Sequence, residues 1–377
     1  MPSASSLRTN PLSASERLLL DAARRLEPIS RAALAGVTPL AQPSVHRNVE
    51  SLLSRGLLQA GAPEKGLRGQ PSPLITLVRE ALYSVGLCIN ADCVVVSLAD
   101  MSCRVVEEVT VRTPPLSRQA TLQAVKDVIQ RLLARHAVPR ERLVGIGVGI
   151  AGFALPGGRQ FNASEPLRDW SLVDLAPLLE EALGYPVLRI ENSGGTAAVG
   201  EFLNGIGRTV KSFCYLAVEH GFGGGILIDG QLHRGMNGNA GEVSGCLTPE
   251  EMERRPALST LLQALRSQGV AVDSIEDLRQ RFDPEWPGVA DWVDSVMPQL
   301  DRVLNALSVI VDPEVIVFGG QAPAGLCRML IARAQFWDQS TRYGVSLSRP
   351  RLVLSASNVD AAASGAAALL LKDLLYV

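Results

Sequence analysis

Hydrophobic residues near the start of the chain recur at helical spacing in three short stretches. The first stretch follows Ser13 or Ser15, either of which can cap a helix, and its apolar residues are Leu18, Leu19, Ala22 and Leu26. Pro28 ends this helix, and Ser30 caps a second, shorter one. A third helix begins near Pro43, because the first turn of a helix tolerates proline. The pattern predicts two short helices and a tight turn before one longer helix.

The third helix presents two faces of different character. Its apolar residues are predicted to face the core, and they are Val45, Val49, Leu52 and Leu53. The free face carries polar side chains, namely Gln42, Ser44, His46 and Arg47. Because such a helix fits the major groove, where polar side chains reach base edges, these four are candidate DNA-binding residues. For each of them, a plain solvated surface position stays the alternative.

Two short strands and a basic loop follow the third helix. Gly56 ends the helix, the loop contains Arg68-Gly69-Gln70-Pro71, and the second strand begins near Leu74. This is the pattern of a winged helix-turn-helix, and Arg68 in the wing is a further candidate DNA-binding residue. Contact with another protein is the alternative. Through Val78 the chain has nine Lys or Arg against five Asp or Glu, which favours DNA.

After residue 80 the pattern changes to strands. Three strands joined by hairpin turns are predicted at 83–89, 93–99 and 105–111. A long amphipathic helix and a glycine-spaced strand from Leu143 to Ile150 follow. A similar order recurs after Arg189, where residues 221–225 predict a hairpin rather than a dinucleotide loop. The repeat predicts a two-lobed α/β body that binds ligands between its lobes.

Two motifs in the head (residues 40–47 and 68–71) and five in the body (between Gly147 and Gly320) resemble those of the ROK family of repressors, uncharacterised open reading frames and kinases. In the head, residues 40–47 resemble its recognition helix and residues 68–71 its wing. In the body, five motifs occur in the family's order: Gly147 to Phe153, Glu191-Asn192, Gly223 to Gly230, Gly235 with Ala240-Gly241-Glu242, and Asp312 to Gly320. The resemblance implies an α/β protein with an N-terminal winged helix-turn-helix and a two-lobed actin-like ATPase (sugar kinase) fold.

The resemblance to ROK kinases fails at the catalytic positions. The kinases carry an aspartate after the Glu-Asn pair as general base, and Ser193 stands there. Their first phosphate strand corresponds to residues 88–92, which lack the glycines. Their second phosphate loop corresponds to Glu219-His220-Gly221, which puts a carboxylate where an anion would bind. We therefore expect a catalytically inactive body, with no cofactor and no catalytic residue.

The family's zinc and sugar motifs are also incomplete. Gly245 stands at the position of the zinc-binding histidine and Cys246 stands alone, so no metal site is expected. The ligand-binding residues that remain by resemblance are Gly152, Asn162, Asn192 and Glu242. Two alternatives are that Asn192 only holds a turn and that Glu242 only pairs with a neighbour such as Arg234.

Length and composition set the outer limits of the prediction. The 377 residues suffice for two or three domains, and the net charge of −2 argues against a uniformly basic nucleic-acid coat protein. We expect a flexible tail at 1–12, a DNA-binding domain at 13–80, a small lobe at 81–190 with 359–377, and a large lobe at 191–358. The start lacks a signal sequence and no apolar run spans a bilayer, so we expect a cytoplasmic protein without membrane contact, and the scattered cysteines predict no disulfide.

These observations favour a DNA-binding transcriptional regulator of repressor type. Its expected partners are a double-stranded DNA operator, a sugar-like small effector that controls dimer geometry, and further copies of itself in a homodimer or tetramer. Two alternatives stay open: a sugar kinase with a fused DNA-binding head, and a DNA-binding dimer that responds to no ligand.

Overall fold

A computed structural model describes residues 3–63, 73–112, 117–337, 341 and 343–377 of the chain. The head contains four helices, α1 (Ala4–Thr9), α2 (Ala14–Leu26), α3 (Arg31–Val37) and α4 (Gln42–Ser54). Its strands are β1 (Ile29–Ser30), β2 (Leu58–Pro63) and β3 (Pro73–Leu77), which form an antiparallel sheet in the order β1-β3-β2. This arrangement confirms the winged helix-turn-helix that the sequence predicts.

The prediction of a flexible tail is wrong for residues 4–9. Ser3 caps α1 through a reciprocal pair of hydrogen bonds with Ser6. The side chain of Leu7 is buried, and Arg8 Nη2 donates to Val144 O at 2.6 Å. The helix therefore packs against the body, which local sequence patterns cannot show.

The buried face of α2 is rotated from the predicted one. The buried apolar residues of α2 are Leu19, Leu20, Ala22 and Ala23, whereas the predicted Leu26 is 48% exposed. The rotation has a tertiary cause, because α2 packs against both α4 and the C-terminal segment of the chain. Contact with two partners therefore buries a different set of α2 residues from the set that contact with one partner would bury.

The first lobe of the body is built on a mixed five-stranded sheet. Its elements are β4 (Tyr83–Ile89), β5 (Cys93–Asp100), β6 (Val105–Arg112), α5 (Arg118–Arg135), β7 (Leu143–Ile150), β8 (Gly152–Ala154), β9 (Phe161–Ala163), α6 (Leu175–Leu183) and β10 (Val187–Asn192). The sheet order is β10-β7-β4-β5-β6, and β8 pairs with β9 in a separate hairpin. The last strand runs two residues past the predicted boundary at 190.

The second lobe repeats this plan. Its elements are α7 (Ser193–Asn204), β11 (Phe213–Val218), β12 (Phe222–Ile228), β13 (Gln231–His233), α8 (Leu258–Ser267), α9 (Ile275–Arg281), α10 (Val289–Ile310), β14 (Val315–Gly320), α11 (Ala324–Arg333) and β15 (Arg351–Leu354). The C-terminal helix α12 (Ala361–Leu375) packs on the first sheet. The sheet order is β13-β12-β11-β14-β15. Antiparallel pairing of Val218 with Phe222 confirms the hairpin at residues 221–225.

Helix α12 lies in contact with α7 and with the first sheet. A Cβ atom placed on Gly365 would lie 1.8 Å from Thr196 O of α7, and one on Gly200 would lie 2.1 Å from Ala361 O. Gly86 and Gly147 allow the same close approach to the strands, since Cβ atoms there would lie within 2.1 Å of α12 carbonyls. Only glycine permits such backbone contact, so α7 and α12 are locked together.

The head docks on the far end of α12. Arg17 Nη2 on α2 donates to Lys372 O and Asp373 O, both at 3.2 Å, and to Tyr376 O. The guanidinium carbon of Arg24 lies 5.2 Å from the ring centroid of Tyr376. Hydrophobic residues of the head and of the body form one continuous core here. In the described part of the chain, no helix is long and apolar enough to cross a membrane.

We predict that Gly365→Ala lowers the free energy of unfolding by about 1 to 3 kcal/mol, because the added methyl group forces α12 away from α7. Gly36→Ala is the matched control, since Gly36 also lies in a helix and a Cβ there meets no atom within 4 Å. It should leave stability within about 1 kcal/mol of the wild type, or raise it. Urea unfolding of both variants measures the difference, and equal stabilities would contradict the packing described.

Candidate functional site

The structure exposes the polar face of α4 as the sequence predicts. Gln42, His46 and Arg47 are exposed and Ser44 is half-buried. The opposite face is buried through Val45, Val49 and Leu52. Arg68 lies outside the described residues. The exposed face is therefore available to a partner of the head.

A buried carboxylate fixes α4 against α2. Glu16 closes the capping box of α2 with Ser13, and its Oε1 accepts from Ser51 Oγ on α4 at 2.6 Å. Arg55 lies 3.8 Å from the same carboxylate. These bonds hold the orientation in which α4 presents its polar face.

Asn192 bridges the two lobes, and we refer to the region around it as the cleft. Its Nδ2 donates to Gly152 O at 2.8 Å and to Glu242 Oε1 at 2.7 Å. Its Oδ1 accepts from Gly194 N at 2.7 Å and so caps α7. Three of the four predicted ligand residues thus meet at one point, and the role of Asn192 in the turn is also real.

Glycines bring these residues together. A Cβ atom on Gly194 would lie 2.4 Å from Gly224 O, and one on Gly241 would lie 2.5 Å from the same oxygen. Gly241 also has φ +103°, a conformation that other residues rarely adopt. Gly224 on β12 therefore packs against both the first turn of α7 and the segment before Glu242. This packing places Asn192 next to Glu242.

Asn162 lies beside this group and does not bond to it. It is exposed on β9 opposite Phe153, and its Oδ1 accepts from Ser171 Oγ at 3.4 Å. The sequence analysis missed Asn239, which pairs with both backbone groups of Ala154 at 2.7 and 2.9 Å. Asn239 thereby ties the β8–β9 hairpin to the second lobe. No local motif marks it, because its partner lies 85 residues away.

Arg234 has a different partner from the one considered in the sequence analysis. Its Nε donates to Glu191 Oε1 at 2.7 Å, whereas Glu242 bonds to Asn192. Glu191 also lies 3.9 Å from Arg189, which pairs with Asp373 at the end of α12. Glu242 therefore does pair with a neighbour, but that neighbour is Asn192 and not Arg234.

Ser193 and Glu219 form a buried pair behind Asn192. Ser193 occupies the position where the sequence analysis noted the missing aspartate, and its Oγ donates to Glu219 Oε2 at 3.1 Å. Both side chains are buried. The hydroxyl is thus held as a donor to a carboxylate.

Burial and neighbouring charges shift the pKa values of the acidic side chains in and around this pair. Burial and the negative charges of Asp360 and Glu242 raise the pKa of Glu219 to about 7, although the hydrogen bond from Ser193 acts to lower it. Burial also raises the pKa of Glu242 and of Asp360. Burial lowers the pKa of the neighbouring His220 imidazole. The cleft interior is therefore a region where negative charge is unfavourable.

The first turn of the body is closed by its own hydrogen bonds. Asn90 N donates to Cys93 O at 2.9 Å, and the buried Asn90 side chain contacts the thiols of Cys88 and Cys93. Asp92 Oδ2 accepts from Ile275 N at 3.2 Å across the lobes. The backbone N–H of Asn90 is thus already used. Among the described residues, no group of three or more His, Cys, Asp or Glu side chains has a metal-binding arrangement.

A family model for the ROK family matches residues 85–373. The chain belongs to the ROK family. The match covers nearly the whole body and leaves the head outside it. The resemblance that the motifs suggested is confirmed.

Curated relatives of this ROK chain include regulators. It is 27% identical to "Uncharacterized protein y4fQ" of Sinorhizobium fredii, over 85% of this chain and 81% of that protein. It is 26% identical to the xylose repressor of Bacillus spizizenii, over 60% of this chain. That second match spans 59% of the repressor's own length.

Solved structures share the fold over most of the chain, and one does so over nearly its full length. A ROK family transcriptional regulator, a homologue of the Escherichia coli MLC protein, matches with a TM-score of 0.66 and 18% identity over 96% of both chains. The ROK hexokinase from Thermus thermophilus matches with a TM-score of 0.56 and 24% identity, over 78% of this chain and all of that one. The first match includes the head, which confirms the two-part fold class.

We predict that Glu219→Gln stabilises the protein at pH 8 by an amount on the order of 2 kcal/mol, and does so much less at pH 5. The folded state holds the Glu219 proton up to pH of about 7, whereas an ordinary carboxyl releases it near 4.5. The wild type therefore loses stability between these values as pH rises, and glutamine does not titrate. Glutamine also keeps an acceptor for Ser193.

Urea unfolding at pH 5 and pH 8 measures this difference. Glu181→Gln, an exposed position on α6, is the matched control and should change stability only slightly. If Glu219→Gln had the same free energy of unfolding as the wild type at both pH values, the raised pKa of Glu219 would be contradicted.

Proposed function

We propose that this ROK protein is a DNA-binding transcriptional regulator of repressor type, whose catalytically inactive body binds a sugar or related small effector. The observation that carries the proposal is the contact between the helix-turn-helix and α12, which joins a DNA-binding head to a ligand cleft. The printed names of a curated relative and of a structural neighbour, a repressor and a transcriptional regulator, support it.

The head supports DNA as the partner. Gln42, Ser44, His46 and Arg47 lie on the free side of α4, where they would reach base edges, and Arg68 in the wing would contact a phosphate. We assign residues 13–80 to this role. A chain with one such head reads paired half-sites as a homodimer or tetramer, and its DNA target places it in the cytoplasm.

The cleft supports ligand binding without phosphoryl transfer. Gly152, Asn192 and Glu242 converge there, and Asn162 stands at the edge. The hydroxyl of Ser193 does not replace the aspartate as general base, because an uncharged hydroxyl is far less basic than a carboxylate. This argues against a sugar kinase with a DNA-binding head.

A continuous set of rigid elements connects cleft and head. Asn192 caps α7, α7 touches α12 through Gly200 and Gly365, and α12 ends on Arg17 of the head. An effector that shifts Asn192 or Glu242 would move α7 and with it α12. The position of the head, and hence the spacing of two heads in a dimer, would then respond to ligand.

We predict that Arg47→Ala weakens specific operator binding by about fivefold or more, since a lost base contact costs about 1 to 3 kcal/mol. DNA from upstream of its own gene is titrated at fixed salt, with binding followed by fluorescence anisotropy. Arg25→Ala is the matched control, because Arg25 lies on α2 and pairs with Asp21. Equal affinity of the Arg47→Ala variant and the wild type would contradict the assignment of α4.

We predict that Arg17→Ala abolishes the effect of a bound sugar on operator affinity, while the sugar still binds the cleft. The variant removes the donor that ties α2 to the last carbonyls of α12. Arg17→Lys keeps the charge without the forked donor geometry and should retain only part of the effect. Arg25→Ala is again the control. A full sugar response in Arg17→Ala would contradict this route of coupling.

A further inference from the structure

We propose that the inner end of the cleft selects effectors by charge, accepting a neutral or amine-bearing sugar and rejecting a phosphorylated or acidic one. The inference rests on the proposed function, because it names the class of ligand for the same cleft. The residue responsible is Glu219, at the carboxyl end of β11 behind Ser193.

Carboxylates without paired cations surround this end of the cleft. Asp360 and Glu242 lie near enough for their charges to act on Glu219. In the described ranges, Arg234 pairs with Glu191 and Arg279 with Glu276 rather than with any of these three carboxylates. Arg279 acts on Asp360 from further away. A phosphate brought here would meet like charge and no direct cation.

Two buried acceptor atoms near Glu219 also lack donors. Gln321 is only 4% exposed, and its Oε1 has no hydrogen-bond partner. It follows Gly320, which pairs with Val218 next to Glu219, and its Nε2 faces Cys93 Sγ of the other lobe at 3.9 Å. Asp92 Oδ1 is likewise buried without a partner. Because unpaired buried acceptors are costly, this region favours a ligand that brings O–H or N–H donors.

The N-terminus of α7 does not offset this preference. A helix N-terminus ordinarily favours an anion. Here Gly194 N is already bound by Asn192 Oδ1, and the Ser193 hydroxyl is committed to Glu219. The carboxylates of Glu219 and Glu242 balance the positive end of the helix before any ligand arrives. A phosphate ester would have to displace or neutralise them.

The test measures binding of a charge series to the full chain at pH 8, above the pKa of about 7 of Glu219. Isothermal calorimetry is run with glucose, mannose and xylose, with glucosamine, and with the 6-phosphates of glucose and mannose. The proteins are wild type, Glu219→Gln, Glu219→Asp and the control Glu181→Gln. Operator affinity is measured in parallel with each compound.

We expect at least one neutral hexose to bind the wild type at least tenfold more tightly than its 6-phosphate, and glucosamine to bind no more weakly than glucose. Glu219→Gln should reduce the discrimination to threefold or less. Glu219→Asp and Glu181→Gln should keep it, since both retain the charge at position 219.

Four results would overturn the proposal. In the wild type, these are a 6-phosphate that binds as tightly as its parent sugar, glucosamine that binds more weakly than glucose, and no binding by any compound. In Glu219→Gln, it is discrimination as strong as in the wild type. Its failure is distinguishable from failure of the proposed function. Charge-selective binding that leaves operator affinity unchanged would contradict the proposed regulatory function and support the charge selection. Operator release by a sugar and by its 6-phosphate alike would support the regulatory function and contradict the charge selection.

Discussion

The C-terminal end of α12 depends on one arginine from the head. The last carbonyls of any helix lack partners within the helix, and Arg17 supplies donors to Lys372 and Asp373 from more than 350 residues away. A cation at this position also opposes the negative end of the helix dipole. The head is therefore part of the structure that completes the body, and its position follows α12.

Glycine contacts carry this constraint into the cleft. Gly365 and Gly200 let α12 and α7 touch backbone to backbone, and Gly194 lets α7 touch β12. Such contacts leave no side chain that could change rotamer and absorb a shift, so a displacement of one element displaces the next. Asn192 caps α7 and Arg17 bonds to the end of α12, so the two residues lie at opposite ends of one packed unit.

Local sequence patterns predicted the elements of this fold well. Glycine spacing fixed the bounds of β7, and apolar periodicity identified the buried face of α4. The features that local patterns did not predict share a physical cause, because each of them depends on a partner far away in the chain. Helix α1, the face of α2 and the bond of Asn239 to Ala154 are set by tertiary contacts. The resemblance located Asn192 and Glu242, but only the structure shows that they bond to each other.

We infer that ligand in the cleft and DNA on the head are coupled through α7 and α12. The operator affinity of the full chain tests this coupling, measured at fixed salt with and without a saturating sugar whose binding calorimetry has established. We expect a change of fivefold or more, the usual scale of coupling between two sites. An affinity that stays the same with the cleft fully occupied would contradict it.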